Sequence, residues 1–378
     1  MNEPAADRLR AEFAAWLHEH LTAEIREVAA EGGVINDDNM TVLRDWNRTL
    51  ADAGWAAPAW PEEYGGRAAT VPEQLAWLEV MSAAGAPGAV NVIGTANIAP
   101  AIMAVGTDEQ RRRYLRPMLR GDEIWCQGMS EPDAGSDLAS LRTSARQDGE
   151  TFVVNGQKTW NSLGAYADWC QLYVRTDPYA PKHKGISCLL VDMRSPGVEV
   201  RPLRTMAGDR TFSELFFTDV VVPKANLLGA VNEGWRVAIT TLSHERAGVA
   251  RLHLSLQERL NRLMADAQGR PAMQDPVVRD RLMGAYARIA AMRWTTTREL
   301  HAIGAGRQPS PTMGSIAKLM WSRTEQSLAE LAVDLLGLEA LGGRWGKNLA
   351  SSRQSTIAGG TTEINRNILA EHGLGLPR

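Results

Sequence analysis

Glu245, in the segment TLSHERAGVA, is a carboxylate in a stretch of helical period, where its neighbours bear on proton-transfer chemistry. On a helix, positions three and four residues away are Thr241, Leu242, Gly248 and Val249, with Leu252 a turn further, so its face is largely apolar. A carboxyl aimed into such surroundings is expected to have a raised pKa, which strengthens it as a base toward a weak carbon acid. Arg246 cannot face it, because adjacent helical residues point in different directions, and His244 lies about 100 degrees around the helix and reads as a packing residue. Metal chemistry finds no support: the seven histidines form no ligand cluster, and Cys126, Cys170 and Cys188 lack CxxC spacing and read as buried reduced thiols. The basic string at 182–184, KHK, reads as a solvated loop.

The elements that must position Glu245 fall into three blocks. From about residue 7 to 120 the period is helical, with Leu9, Phe13, Leu17 and Leu21 forming one apolar stripe and further helices expected near 38–53, 71–84 and 107–118. Between Ile124 and Leu227 the period becomes two, with Asp148-Gly149 and Asn155-Gly156 read as turn dipeptides flanking TFVV. Helical period then returns over about 234–268, 277–304 and 313–336, long enough to pack as a bundle. The fold class is therefore α+β, with an N-terminal α-helical domain (1–122), a central antiparallel β domain, barrel-like (123–227), and a C-terminal four-helix bundle (228–378). A length of 378 residues suits several cores sharing surfaces. The net charge of -3, without a long basic run, argues against nucleic acid, and no stretch reaches the roughly 18 apolar residues of a membrane span. Without a leader-like pattern, the expected location is cytoplasmic.

Four segments, in order, resemble one family, the acyl-CoA dehydrogenases: GWAAPAWPEEYGG (54–66), GTDEQRRRYLRPMLRGDEIWCQGMSEPDAGSD (106–137), FVVNGQKTWNS (152–162) and GGTTEINRNILAEHGLGLPR (359–378). The resemblance implies the same three-part fold, an oxidoreductase of lipid catabolism, and FAD held without a Rossmann fingerprint; no GxGxxG joins a strand to a helix here. It implies that Gln127, Met129 and Ser130 lie along the flavin ring, that Trp160 and Ser162 cover its other side, and that Ser136 contacts the thioester arm. Arg270, Thr361 and Glu363 are the corresponding flavin contacts of the later segments.

In many such enzymes the base is the glutamate of a C-terminal Glu-Gly-Thr, whereas this chain has Gly359-Gly360-Thr361. Similarity to isovaleryl-CoA dehydrogenase implies a second arrangement, a base in a Glu-Arg pair on a bundle helix, here Glu245-Arg246. Arg246 and Gly360 are then substrate-side residues, and the Gly359 N–H remains able to polarise the thioester carbonyl. The resemblance further implies a branched, cyclic or otherwise bulky acyl thioester, on CoA or on a carrier protein, and an electron-transfer flavoprotein as acceptor. The usual interface segments Arg-x-x-Phe-Gly and Gln-x-x-Gly-Gly are replaced, by the surroundings of Arg270 and by 334–338, so a heterotetramer stands beside a homotetramer. A flavin oxidase or monooxygenase, and a non-catalytic partner subunit, are the competing readings.

Overall fold

The computed structural model describes residues 3–30, 35–247, 249–304, 306–307, 310 and 312–377, and only the backbone of residues 30, 242–247, 249–251 and 304. The expected α+β class is borne out. Helices α1 (Glu3–His20), α2 (Ala23–Ala30), α3 (Met40–Asp52), α4 (Val71–Ala84), α5 (Ala99–Val105) and α6 (Asp108–Arg120) come first, with a π-helical turn at Ile93–Ile98. The stripe Leu9, Phe13, Leu17 and Leu21 is buried throughout and meets Trp46, Trp55 and Trp77 in the first core. Each such side chain contributes about 1.5–3 kcal/mol on burial. Helix α6 begins at a reciprocal cap: Thr107 Oγ1 accepts from the Gln110 N–H at 3.2 Å and the Gln110 side chain accepts from the Thr107 N–H at 3.1 Å.

A seven-stranded sheet follows, formed by β1 (Trp125–Gly128), β2 (Ser144–Asp148), β3 (Thr151–Ser162), β4 (Trp169–Arg175), β5 (Ile186–Asp192), β6 (Val198–Leu203) and β7 (Phe212–Pro223). Pairing is antiparallel for β2–β3, β3–β7, β6–β7 and β4–β5, and parallel for β1–β4. Gly149 turns the β2–β3 hairpin with φ +56°, as expected of Asp148-Gly149.

The second turn expectation is corrected: Asn155-Gly156 sits inside β3, at a bulge against β7. The Asn155 amide is consumed there by Asp219, donating to its Oδ1 at 2.9 Å and accepting from its N–H at 2.9 Å. Gly156, at φ +148°, packs so closely on Thr143 that a Cβ would lie 2.7 Å from the Thr143 Cα, so the glycine serves a close approach rather than a reversal.

The C-terminal part is helical: α7 (Gly234–Ala247), α8 (Val249–Asp266), α9 (Pro276–Gly304), α10 (Met313–Leu336), α11 (Gly343–Ser351) and α12 (Thr362–Ile368). Helices α8, α9 and α10 share a core of Leu260, Leu263, Ile289, Met292, Leu328 and Leu335, closed by Trp345 of α11. Helix α7 belongs elsewhere: Val237 and Ala238 lie in the first core, against α5, the Ile93–Ile98 turn and β5. No described helix is long and apolar enough to cross a membrane.

Candidate active site

Strand β1 runs parallel to β4 with Gln127 opposite Gln171, and the chain leaves the sheet at Met129–Ser130. It leaves under restraint. The Thr159 N–H donates to the Ser130 carbonyl at 2.9 Å, and the Lys158 ammonium donates to the Met129 carbonyl at 3.0 Å and to Glu131 Oε1 at 2.9 Å. Glu131 also accepts from the Arg142 and Thr143 N–H groups at 2.6 and 2.8 Å, while the Asn161 amide donates to the Gln127 carbonyl.

These bonds join the β1 exit to the far end of β3, where one extra residue bulges between Lys158 and Asn161. The bulge contains Trp160, at φ +61°, a left-handed conformation costly for a side chain of this size. Its indole is 63% exposed, touched edge-on by Phe212 at 6.2 Å, so the strain serves presentation and not core packing. Ser162 follows in β3 opposite Phe212. An open aromatic plane next in chain to Thr159, whose N–H holds the Ser130 carbonyl, suits a flat heteroaromatic ring with carbonyl groups, which is the chemistry of a flavin. Gln127, Met129, Ser130, Trp160 and Ser162 are thus brought together on one shelf.

Burial sets the charge state beneath it. Lys158 is 0% exposed, and desolvation lowers its pKa to about 8 although Glu131 opposes the shift. Burial pushes Glu131 upward, but the charge of Lys158 and the three donated bonds outweigh it and hold the carboxyl below its usual range.

Behind the shelf a row of buried polar groups reaches α7. Asn97 donates to the Gln127 side chain at 3.4 Å, Gln127 to Gln171 at 3.2 Å, and Gln171 to Thr241 Oγ1 at 3.4 Å. The Tyr173 hydroxyl meets the same Thr241 oxygen at 3.2 Å, and burial pushes this phenol well above its ordinary pKa. Thr241 lies in α7 four positions before Glu245, so the helix is anchored to β4, the strand paired with β1, one turn ahead of that position. The side chains of Glu245, Arg246 and His244, and Gly248 entirely, lie outside the described residues.

Ser136 is exposed on the loop after the shelf, beside Asp137. Asp137 bonds the Lys182 ammonium at 2.6 Å, a contact that leads in holding its carboxyl below the usual range. The KHK loop is therefore docked next to Ser136, with His183 packed edge-on against Trp235 at the start of α7 at 4.6 Å. The expectation of a merely solvated loop missed this neighbourhood.

The remaining sequence-derived residues are not joined to the shelf by any described contact. Thr361 caps α12, accepting from the Ile364 N–H at 3.2 Å, and Glu363 is exposed in its first turn. Gly359 and Gly360 have φ of +66° and +89°, and Asn365 donates to the Gly360 carbonyl at 2.9 Å. Left-handed backbone at 359 suits the glycine present better than the glutamate of the common pattern. Arg270, in the turn between α8 and α9, bonds Glu339 and the Leu336 carbonyl of its own chain, beside an open cleft of about 640 Å³ lined by Met264, Gln268 and Met273.

Lys158, Glu131, Asn161 and Thr241 were missed by sequence reasoning. Lys158 had a signal, because it falls in period with the buried Phe152 and Val154 of β3. The bulge, which cannot be read from the alternation, hides where that face ends. The three cysteines are free and buried, as expected, and no group of metal-ligating side chains is found among the described residues.

Models of three parts of one family match nearly the whole chain: the acyl-CoA dehydrogenase N-terminal domain over residues 3–122, the middle domain over 126–220 and the C-terminal domain over 232–374. Acyl-CoA dehydrogenase IpdE1 of Mycobacterium tuberculosis is 37% identical over 381 residues, covering 98% of both chains. Acyl-CoA dehydrogenase FadE26 of the same organism is 36% identical over 400 residues, covering 99% of this chain and 98% of the other. Among solved structures, the Tcur3481-Tcur3483 steroid ACAD superposes with a TM-score of 0.88 at 31% identity, covering 100% of this chain and 99% of that one. The ChsE4-ChsE5 complex from Mycobacterium tuberculosis gives 0.85 at 34% identity with the same coverage.

Proposed function

Because the chain belongs to the acyl-CoA dehydrogenase family, FAD-dependent oxidoreductases acting on acyl-CoA, we propose that it desaturates a bulky acyl thioester, of steroid side-chain size, with Glu245 as the base. Glu245 would take the α-proton, and loss of the β-hydride would leave the Cα–Cβ bond double. FAD, when bound, supplies the hydride acceptor. This chain's part is to hold the ring against Ser130 and Trp160, to polarise the thioester carbonyl through the Gly359 N–H, and to keep water from the carbanion-like α-carbon.

The observation that carries the reading is the anchoring of α7: Thr241 bonds Gln171 and Tyr173 of β4, the strand paired with β1, which supports a position for the helix of Glu245 near the proposed flavin shelf. The glycine at 359 adds to it, since no carboxylate stands at the usual place. One similar structure, Tcur3481-Tcur3483, is a steroid ACAD, which supports a large substrate. Anaerobic titration with straight, branched, aromatic and steroid-side-chain CoA thioesters is expected to bleach the flavin fully with the bulky members alone; bleaching by butyryl-CoA at an equal rate would sink the substrate class. The electrons are then expected to pass to an electron-transfer flavoprotein.

The assembly is proposed to be a heterotetramer with a related chain. Arg270 is engaged by Glu339 and Leu336 of its own chain, and one similar structure is the ChsE4-ChsE5 complex. Purified alone, the protein is expected to hold well under one flavin per subunit, with occupancy rising when the related chain is co-expressed. A homotetramer of this chain carrying four flavins, by light scattering and absorbance, would remove the proposal.

A further inference from the structure

We infer that Lys158 is the positioning residue of the flavin shelf, fixing the Met129–Ser130 peptide by its ammonium. The inference rests on the assignment of Ser130 and Trp160 to the flavin. Lys158 touches nothing that reacts, yet it is fully buried, and taking an ammonium from water costs several kcal/mol that its pairing with Glu131 only partly offsets. A methionine would fill the same volume without that penalty. What the methionine could not do is donate to the Met129 carbonyl, which Lys158 does at 3.0 Å.

That bond has a directional consequence. In a trans peptide the C=O and the next N–H point to opposite sides. Drawing the Met129 carbonyl inward onto the ammonium turns the Ser130 N–H outward, away from the buried lysine. Among the described residues nothing accepts from that N–H, so it is left to meet a ligand. The other end of the same residue is held too, because the Ser130 carbonyl accepts from Thr159, next in chain to Lys158. Lys158 also stands at the start of the bulge that presents Trp160, two residues on. One buried cation therefore ties the polar edge of the shelf to its aromatic wall, and Glu131 holds that cation in register through Arg142 and Thr143.

Two double variants of the full chain test this. Lys158→Met with Glu131→Leu removes the donor without stranding a charge; Lys158→Gln with Glu131→Gln keeps an uncharged N–H donor one bond shorter than the ammonium. In the first, the apoprotein should remain folded but bind FAD at least about tenfold more weakly, with a shifted flavin visible band. In the second, FAD affinity should stay within about threefold of the parent. The dissociation constant is read by quenching of flavin fluorescence, and the unfolding temperature by circular dichroism. Parent-like affinity and spectrum in the folded Met/Leu protein would overturn the inference. If that protein does not fold, the Gln/Gln protein decides: retained affinity supports the role, and a tenfold loss in a folded protein overturns it. Ser130→Ala and Trp160→Ala are the separate control, since parent-like FAD binding in both would fail the shelf assignment itself and not the role of Lys158.

Discussion

Glu245→Gln is expected to leave FAD bound and to slow its anaerobic bleaching by a good acyl-CoA substrate by roughly 10²–10⁴-fold, the usual worth of a positioned general base. Glutamine keeps the size and polarity of the side chain but cannot accept the α-proton, so substrate binding should be nearly unchanged and the loss should fall on the rate of reduction. Stopped-flow reduction at saturating substrate separates the two. Undiminished bleaching would sink the assignment and leave the family membership standing. The expectation draws support from the Thr241 hydroxyl, which bonds Gln171 and Tyr173 of β4 one turn before position 245 and so restrains the rotation of α7.

Removing Glu131 should be the most damaging single change to stability. Glu131→Ala leaves Lys158 buried without its counter-charge, a situation that costs about 3–5 kcal/mol in comparable pairs. The loss should depend on pH with a defined sign. In the folded chain Lys158 titrates at about 8, against 10.5 for an unperturbed lysine, so between those values the unfolded chain binds more protons and stability rises with pH. Deleting Glu131 drives the folded value lower still. The deficit should therefore be greatest below pH 8 and shrink toward pH 10, where the amine is neutral in both proteins. Urea unfolding of parent and variant at pH 7 and near pH 10 measures it; an equal deficit at both would show that the charge on Lys158 is not its source.

Much of this molecule is legible in its residues, and the failures have a common cause. Helices α4 and α10 begin and end where spacing and punctuation place them, Thr70 and Gly85 bracketing the first and Gly337 ending the second. Gln127, Met129, Ser130, Trp160 and Ser162 were singled out through motifs, and the ends of β1 and β3 that carry them are tied together by Lys158, Thr159 and Asn161. What escaped was non-local. Asn155-Gly156 has the composition of a hairpin turn, and only Asp219 and Thr143, distant in sequence, hold it inside a strand. A lysine at position 158 looks like a surface residue until a glutamate 27 positions earlier is brought to it. The apolar pattern from 234 to 268 does not disclose that Val237 and Ala238 pack on the first core while Leu256 and Leu260 pack on the second.

The order of strands has a consequence for the birth of the protein on the ribosome. Trp160 owes its outward turn to a mismatch between β3 and β7, and β7 ends at Pro223, more than 60 residues after that tryptophan. A nascent chain that has not yet presented Ser213–Leu215, the β7 residues opposite the bulge, therefore cannot build the aromatic wall, however complete its first helices are. Pairings of such long sequence separation close slowly, so the cofactor cradle matures late, after the N-terminal helices have had time to settle.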